Sequence, residues 1–292
     1  MSNEHETYYV PEESKWPFVG AVALFFIAFG AGNLVNEVSK GVDGYGGLTL
    51  AIGLAIIIYM LFGWFKDQVN ESMAGMYSAQ LDESYRQGMA WFIFSEVMFF
   101  FAFFGGLFYA RMLSVPWLGG EGWHESTGAV LWQGFEAVWP VVKAPDGTTS
   151  AVMGAWGLPA INTIILVISS FTLHVAHHSL ETDNNRGKIK TWLGITILLG
   201  ITFLGLQVYE YIHAYAIGLT LDSGIYGNTF FMLTGFHGMH VTLGTIILIV
   251  CFLRILKGHF TPENHFAFMA GSWYWHFVDV VWLLLFVFVY VL

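Results

Sequence analysis

Charge is what this chain of 292 residues has least of. Asp, Glu, Lys and Arg make up 11% of it, against about 25% in soluble domains. That shortage excludes an ordinary water-soluble fold. Cysteine occurs once, at Cys251, which excludes an internal disulfide and a multi-thiolate metal site. Lys and Arg number 11 against 21 Asp and Glu, and no nucleic-acid partner is expected. No internal repeat and no low-complexity tract is present, which argues against transporters built from inverted repeats. A cleavable signal peptide is not expected, because Met1 to Lys15 is polar and acidic and no small-residue cleavage site follows.

What remains is apolar. Hydrophobic residues reach 56%, and segments of roughly 20 apolar residues, enough to cross a bilayer, recur along the chain. Seven such spans are predicted near residues 17–35, 47–65, 87–113, 157–176, 191–219, 227–256 and 267–291. The fold class is an all-α membrane protein. Many of the 12 Trp lie at predicted span ends, as interfacial belts do. Basic residues distribute unevenly: Lys15, Lys66, Arg86, Arg186, Lys188, Lys190, Arg254 and Lys257 fall on the N-terminal side of the membrane. Lys40, Arg111 and Lys143 fall on the other. The excess places the N-terminus in the cytoplasm and the C-terminus outside.

Residues 1–15 form a cytoplasmic segment, 16–66 a two-helix group, 67–86 a polar cytoplasmic linker, and 87–292 a five-helix bundle. The outward loop 114–156 is the one long excursion, holding Trp117, Trp123, Trp132 and Trp139, with a short surface helix expected around 130–142.

Polar groups inside spans are costly unless partnered, so each asks for a role. Glu96 lies two to three turns into span 3, with Phe92, Phe99 and Phe100 at helical contact spacings. Such a surround favours a neutral acid, serving as a proton-relay member or an interhelical anchor. Gln207, Glu210 and His213 follow one another at intervals of three in span 5. His237 and His240 stand one turn apart in span 6, beside Gly235 and Gly238, which allow close helix approach and leave no room for haem. Their expected partners are His276 and Asp279 of span 7, themselves three apart and able to touch. His174 and His178 have the i, i+4 spacing of metal-binding helices. Without an HExxH pattern or an accompanying carboxylate they are not expected to bind metal. No catalytic residue and no metal ligand is assigned.

Six strings then become specific. They are Ser95-Glu96-Val97-Met98-Phe99-Phe100, Ala176-His177-His178-Ser179-Leu180, Tyr226-Gly227-Asn228-Thr229-Phe230-Phe231, Thr234-Gly235-Phe236-His237-Gly238-Met239-His240-Val241, His259-Phe260-Thr261 and the run from Trp273 to Trp282. In this order the chain resembles subunit III of haem-copper cytochrome c oxidases, from Trp16 to Leu292 except in loop 114–156.

The resemblance implies seven helices divided two and five, with phospholipid in a cleft between spans 1–2 and 3–7. Trp64, Lys66, Glu71 and Arg254 would meet that lipid. It implies no haem or copper in this chain, those centres belonging to partner subunits. It implies contact chiefly with subunit I, then subunit II and other oxidase subunits, in a bacterial-type inner membrane with cytochrome c as the complex's substrate. The implied role is to stabilise subunit I and support proton uptake into it, with Glu96, Glu210, His237, His240, His276 and Asp279 the proton-related candidates. A quinol oxidase subunit and a free-standing proton or ion transporter are the alternatives. Met269 stands where this family commonly carries glutamate, Met76-Tyr77 where it often carries a histidine pair, and Lys66 and Asn70 where it carries arginines.

Overall fold

The computed structural model describes Tyr9 and residues 13–292, so most of segment 1–15, namely 1–8 and 10–12, lies outside the described residues. Among the described residues seven helices are long and apolar enough to cross a membrane. They are α1 (Trp16–Lys40), α2 (Gly46–Met73), α3 (Ala79–Tyr109), α4 (Leu158–Glu181), α5 (Arg186–Ala216), α6 (Ile225–Leu256) and α7 (Phe266–Leu285). The all-α, seven-span reading holds. The chain divides into two units, one running to Tyr85 and one from Arg86 onward.

In the first unit α1 and α2 form a hairpin. Pro17 occupies the first turn of α1, where its missing N–H costs nothing. Gly41, at φ +62°, ends the helix in the left-handed conformation. Both Glu37 carboxylate oxygens lie 3.1 Å from the Gly46 N–H, capping the start of α2 with negative charge. The helices then meet backbone to backbone. A Cβ at Gly30 would sit on the backbone of Leu50, and one at Gly53 would stand 2.7 Å from the Ile27 nitrogen. Small residues permit this approach, and close packing is the main attraction between helices in lipid. Gly30→Val is therefore expected to push α1 from α2, destabilising the hairpin by about 1–3 kcal/mol. Faster proteolysis within residues 41–45 of the assembled oxidase would register it; an unchanged cleavage rate would refute it.

The polar stretch 67–86 is mostly helical, since α2 runs on to Met73 and α3 begins at Ala79. Side chains explain the extension. The Tyr77 hydroxyl lies 3.1 Å from the Gln68 carbonyl oxygen and 3.2 Å from both Gln68 Oε1 and Glu71 Oε2. Tyr85 donates to Gln68 Oε1 at 3.3 Å. Burial among these groups raises the Tyr77 phenol well above its ordinary value.

Loop 114–156 departs from expectation. It holds only short turns at Val115–Leu118, Gly122–His124 and Thr127–Leu131, and no helix spans 130–142. Gly134 at φ +80° leaves the helical region, and Pro140 supplies no N–H to continue one. Beyond it Lys143 and Thr149 bridge across the Pro145-Asp146-Gly147 turn. The Thr148 backbone N–H, 2.9 Å from Asp146 Oδ1, holds that carboxyl below its usual range. Trp139 packs edge-on against Tyr226 of α6, whereas Trp123 is fully exposed.

The second unit's core is built on α7. Trp275 and Trp282 are fully buried, and their indole N–H groups donate to Ser169 Oγ at 3.0 Å and Thr163 Oγ1 at 2.9 Å on α4. Helix α3 joins by long side chains: Phe92 stacks on Tyr274, Phe99 meets Phe236 edge-on, and Phe100 tilts against Phe277.

Candidate functional site

Several pairs of spans in the core are pinned by polar contacts. Thr172 and Thr196 hydroxyls meet at 2.8 Å between α4 and α5, and Tyr211 and Thr234 at 2.7 Å between α5 and α6. His237 Nε2 lies 3.1 Å from the Val278 carbonyl oxygen on α7. A carbonyl only accepts, so Nε2 carries the proton. Phe203 and Trp282 enclose this imidazole, with ring centroids at 5.7 and 5.1 Å.

The central arrangement joins α3 to α6. His240 Nε2 stands 2.9 Å from Glu96 Oε2, and His240 Nδ1 stands 2.6 Å from the Phe236 carbonyl oxygen. The second contact requires Nδ1 to donate. Nε2 must then either accept from a protonated Glu96 or donate to its carboxylate. In both cases the pair holds one shared proton and is neutral overall, which suits a low-dielectric site. His240 is 4% exposed. Phe99, Phe100 and Tyr274 surround its ring at 5.9, 5.0 and 6.3 Å.

Several pairings expected from the sequence are different in space. His240 turns to Glu96, not to His276 and Asp279, because α3 brings a carboxyl within hydrogen-bond reach. His276 and Asp279 do not bond to each other: His276 Nδ1 takes the Ser170 hydroxyl of α4 at 2.6 Å. Asp279 lies beside the same hydroxyl, with neither carboxyl oxygen hydrogen-bonded among the described residues. The expected close approach at Gly235 and Gly238 is absent as well. A Cβ at Gly238 would meet nothing within 4 Å, and one at Gly235 only the Tyr211 hydroxyl at 3.6 Å. Aromatic rings, not glycines, fill the space around the two histidines.

Glu210 and Gln207 are buried as their stripe required, whereas His213, at the outer end of the same stripe, is exposed. Both buried residues face Tyr290 without forming a hydrogen bond. Among the lipid candidates, Trp64 and Lys66 are exposed on α2, and Arg254 lies over the Phe260 ring at 4.4 Å. Glu71 is engaged by Gln68 at 3.2 Å and Tyr77 at 3.2 Å. His174 and His178 stack in parallel with centroids 6.2 Å apart, both exposed. Their neighbour His177 instead faces Glu181 and His265, a grouping the sequence hides because His265 comes from the far end of the chain.

A family model described as Cytochrome c oxidase subunit III matches residues 5–292. Curated relatives named cytochrome c oxidase subunit 3 include that of Prototheca wickerhamii, 37% identical over 97% of this chain and 96% of that protein. The Marchantia polymorpha protein is 36% identical over 99% and 97% respectively. The Loxodonta africana protein is 37% identical over 99% and 98%. With matches of this extent and with seven membrane-crossing helices, the chain belongs to the cytochrome c oxidase subunit III family and is a multi-span subunit of that respiratory complex.

Proposed function

We propose that this chain is a non-redox accessory subunit that keeps catalytic subunit I in working form and supports proton uptake into it. The supporting observation is the Glu96–His240 contact of 2.9 Å, a neutral pair with one shared proton between two spans. A group of that kind holds or passes a proton within a membrane and anchors α3 to α6. The imidazoles of His237, His240 and His276 are each engaged in hydrogen bonds, which suits structural and proton-related roles better than haem ligation.

The proposal extends to surroundings. Subunit I is the main neighbour, with subunit II and other subunits beyond it, haem and copper in those partners, and cytochrome c as electron donor. The membrane is a bacterial-type cell membrane, with the N-terminus cytoplasmic on the strength of the basic-residue bias. A structural phospholipid is included, with Lys66 and Arg254 offered for its phosphate and Trp64 for interface depth. Glu71 is the weaker candidate, since an amine headgroup would compete with Gln68 and Tyr77.

Removing this subunit from the purified oxidase tests the central claim. Haem spectra and the initial rate of oxygen reduction should persist, while the number of turnovers before inactivation falls several-fold. A depleted enzyme that turns over as long as the intact one would exclude the role.

A further inference from the structure

The end of α4 and the start of α7 carry a constellation that the proton-related role does not use. His177 and Glu181 are one helical turn apart, so they project from the same face. His265 precedes α7 and points to the same place. His177 Nε2 lies 3.8 Å from Glu181 Oε1, and His265 Nε2 lies 3.6 Å from that same oxygen. The three ligand atoms are all within 4.8 Å of one another.

From this convergence we propose that His177, Glu181 and His265 form a binding site for a divalent cation of the zinc class.

Chemistry and geometry agree. Two imidazoles and one carboxylate make the His2Glu donor set of zinc sites, with water completing a tetrahedron. Bonds of about 2.0–2.1 Å at tetrahedral angles place ligand atoms roughly 3.3 Å apart. The Glu181 separations of 3.8 and 3.6 Å are about 0.3–0.5 Å wider, and Glu181, whose side chain is 45% exposed, has the freedom to close them. The two imidazoles, within 4.8 Å of each other, must also draw together on binding. His177 Nε2 is walled off from solvent and has no hydrogen-bond partner among the described residues, so the tautomer protonated at Nδ1 would present its lone pair where an ion would sit.

The imidazoles are held in place. Phe268 packs edge-on against the His177 ring at 5.3 Å, and the His265 ring meets it at 5.5 Å. The His265 carbonyl oxygen accepts from the Phe268 and Met269 N–H groups at 2.9 and 3.1 Å, fixing this residue to the first turn of α7. Thr261 and Asn264 exchange backbone hydrogen bonds just before it. Nitrogen donors and a net ligand charge of −1 favour zinc and its transition-metal neighbours over magnesium or calcium, which prefer all-oxygen shells. A bound ion would lock the loop from α6 to α7 onto the end of α4.

The test uses the assembled oxidase. Complexes containing the parent chain, Glu181→Gln, His265→Asn and His174→Asn are equilibrated with Zn2+, and retained zinc is measured against free concentration. The parent and the exposed-site control His174→Asn should retain one more zinc per complex than His265→Asn. Glu181→Gln should weaken that zinc by about tenfold or more. Zinc-edge X-ray absorption should show nitrogen and oxygen neighbours at about 2.0–2.1 Å for this zinc in the parent and in His174→Asn, and the signal should be missing from His265→Asn. Because Glu181 is exposed, its variant keeps the test available if His265→Asn fails to assemble. Equal zinc retention by the parent and Glu181→Gln, or no extra zinc in the parent, overturns the assignment.

Discussion

Trp275→Ala is expected to destabilise the five-helix unit by about 3–5 kcal/mol, the range for emptying a large buried aromatic site. Trp275 is fully buried where α5, α6 and α7 converge. It fits because the two facing helices carry glycine: a Cβ at Gly200 would stand 2.6 Å from its ring, and one at Gly244 2.9 Å. The indole hydrogen bond to Ser169 is a minor part of the loss, since Ser169 keeps its own bond to the Leu166 carbonyl oxygen at 2.7 Å. Most of the effect is lost contact, because lipid tails give helices no hydrophobic reason to associate and packing must hold them.

Thermal release of this subunit from the oxidase should occur at a clearly lower temperature in the variant. Gly200→Ala alone should also destabilise, by about 1–3 kcal/mol. Combined with Trp275→Leu it should cost much less than the sum, as sites sharing one space do. Additive losses, or an unchanged release temperature for Trp275→Ala, would show that this ring does not organise the bundle.

The sequence made the spans legible and the contacts between them much less so. Seven apolar runs stand out because lipid demands them, and the interior acids stand out because lipid penalises them. Which polar groups meet is a different matter. Glu96 and His240 are 144 positions apart, and each helix is apolar around most of its circumference, so periodicity does not single out the face that carries the partner. The glycines show the same limit. Gly235 and Gly238 sit beside conspicuous histidines and invite a packing role, but Gly238 borders open space and Gly235 faces only the Tyr211 hydroxyl. Gly200 and Gly244, in plain apolar stretches, are the ones that admit Trp275. The polarity of residues 67–86 suggests a linker, whereas Tyr77, Tyr85 and Gln68 fold most of it into α2 and α3. Local rules located the costly residues; only the tertiary arrangement assigned their partners.

Substitutions at Glu96 should separate anchoring from proton handling. Glutamine preserves shape and offers an N–H to His240 Nε2, so Glu96→Gln should keep close to parental stability while removing the proton that the pair shares. Alanine leaves His240 Nε2 buried without a partner, and Glu96→Ala should lose about 1–3 kcal/mol. A double-mutant cycle with His240→Leu should return a coupling of about 0.6 kcal/mol and no more than about 1.7, the average and the maximum for interhelical hydrogen bonds in membranes. Both Glu96 variants should leave the oxidase haem spectra unchanged, because the pair touches no redox centre in this chain's proposed role. Function should divide differently from stability. If the shared proton matters, Glu96→Gln should shorten the number of turnovers before inactivation nearly as much as Glu96→Ala, despite its intact hydrogen bond. A Glu96→Gln oxidase with parental turnover lifetime and parental proton uptake would reduce Glu96 to a structural tie between α3 and α6. A coupling near zero would remove even that.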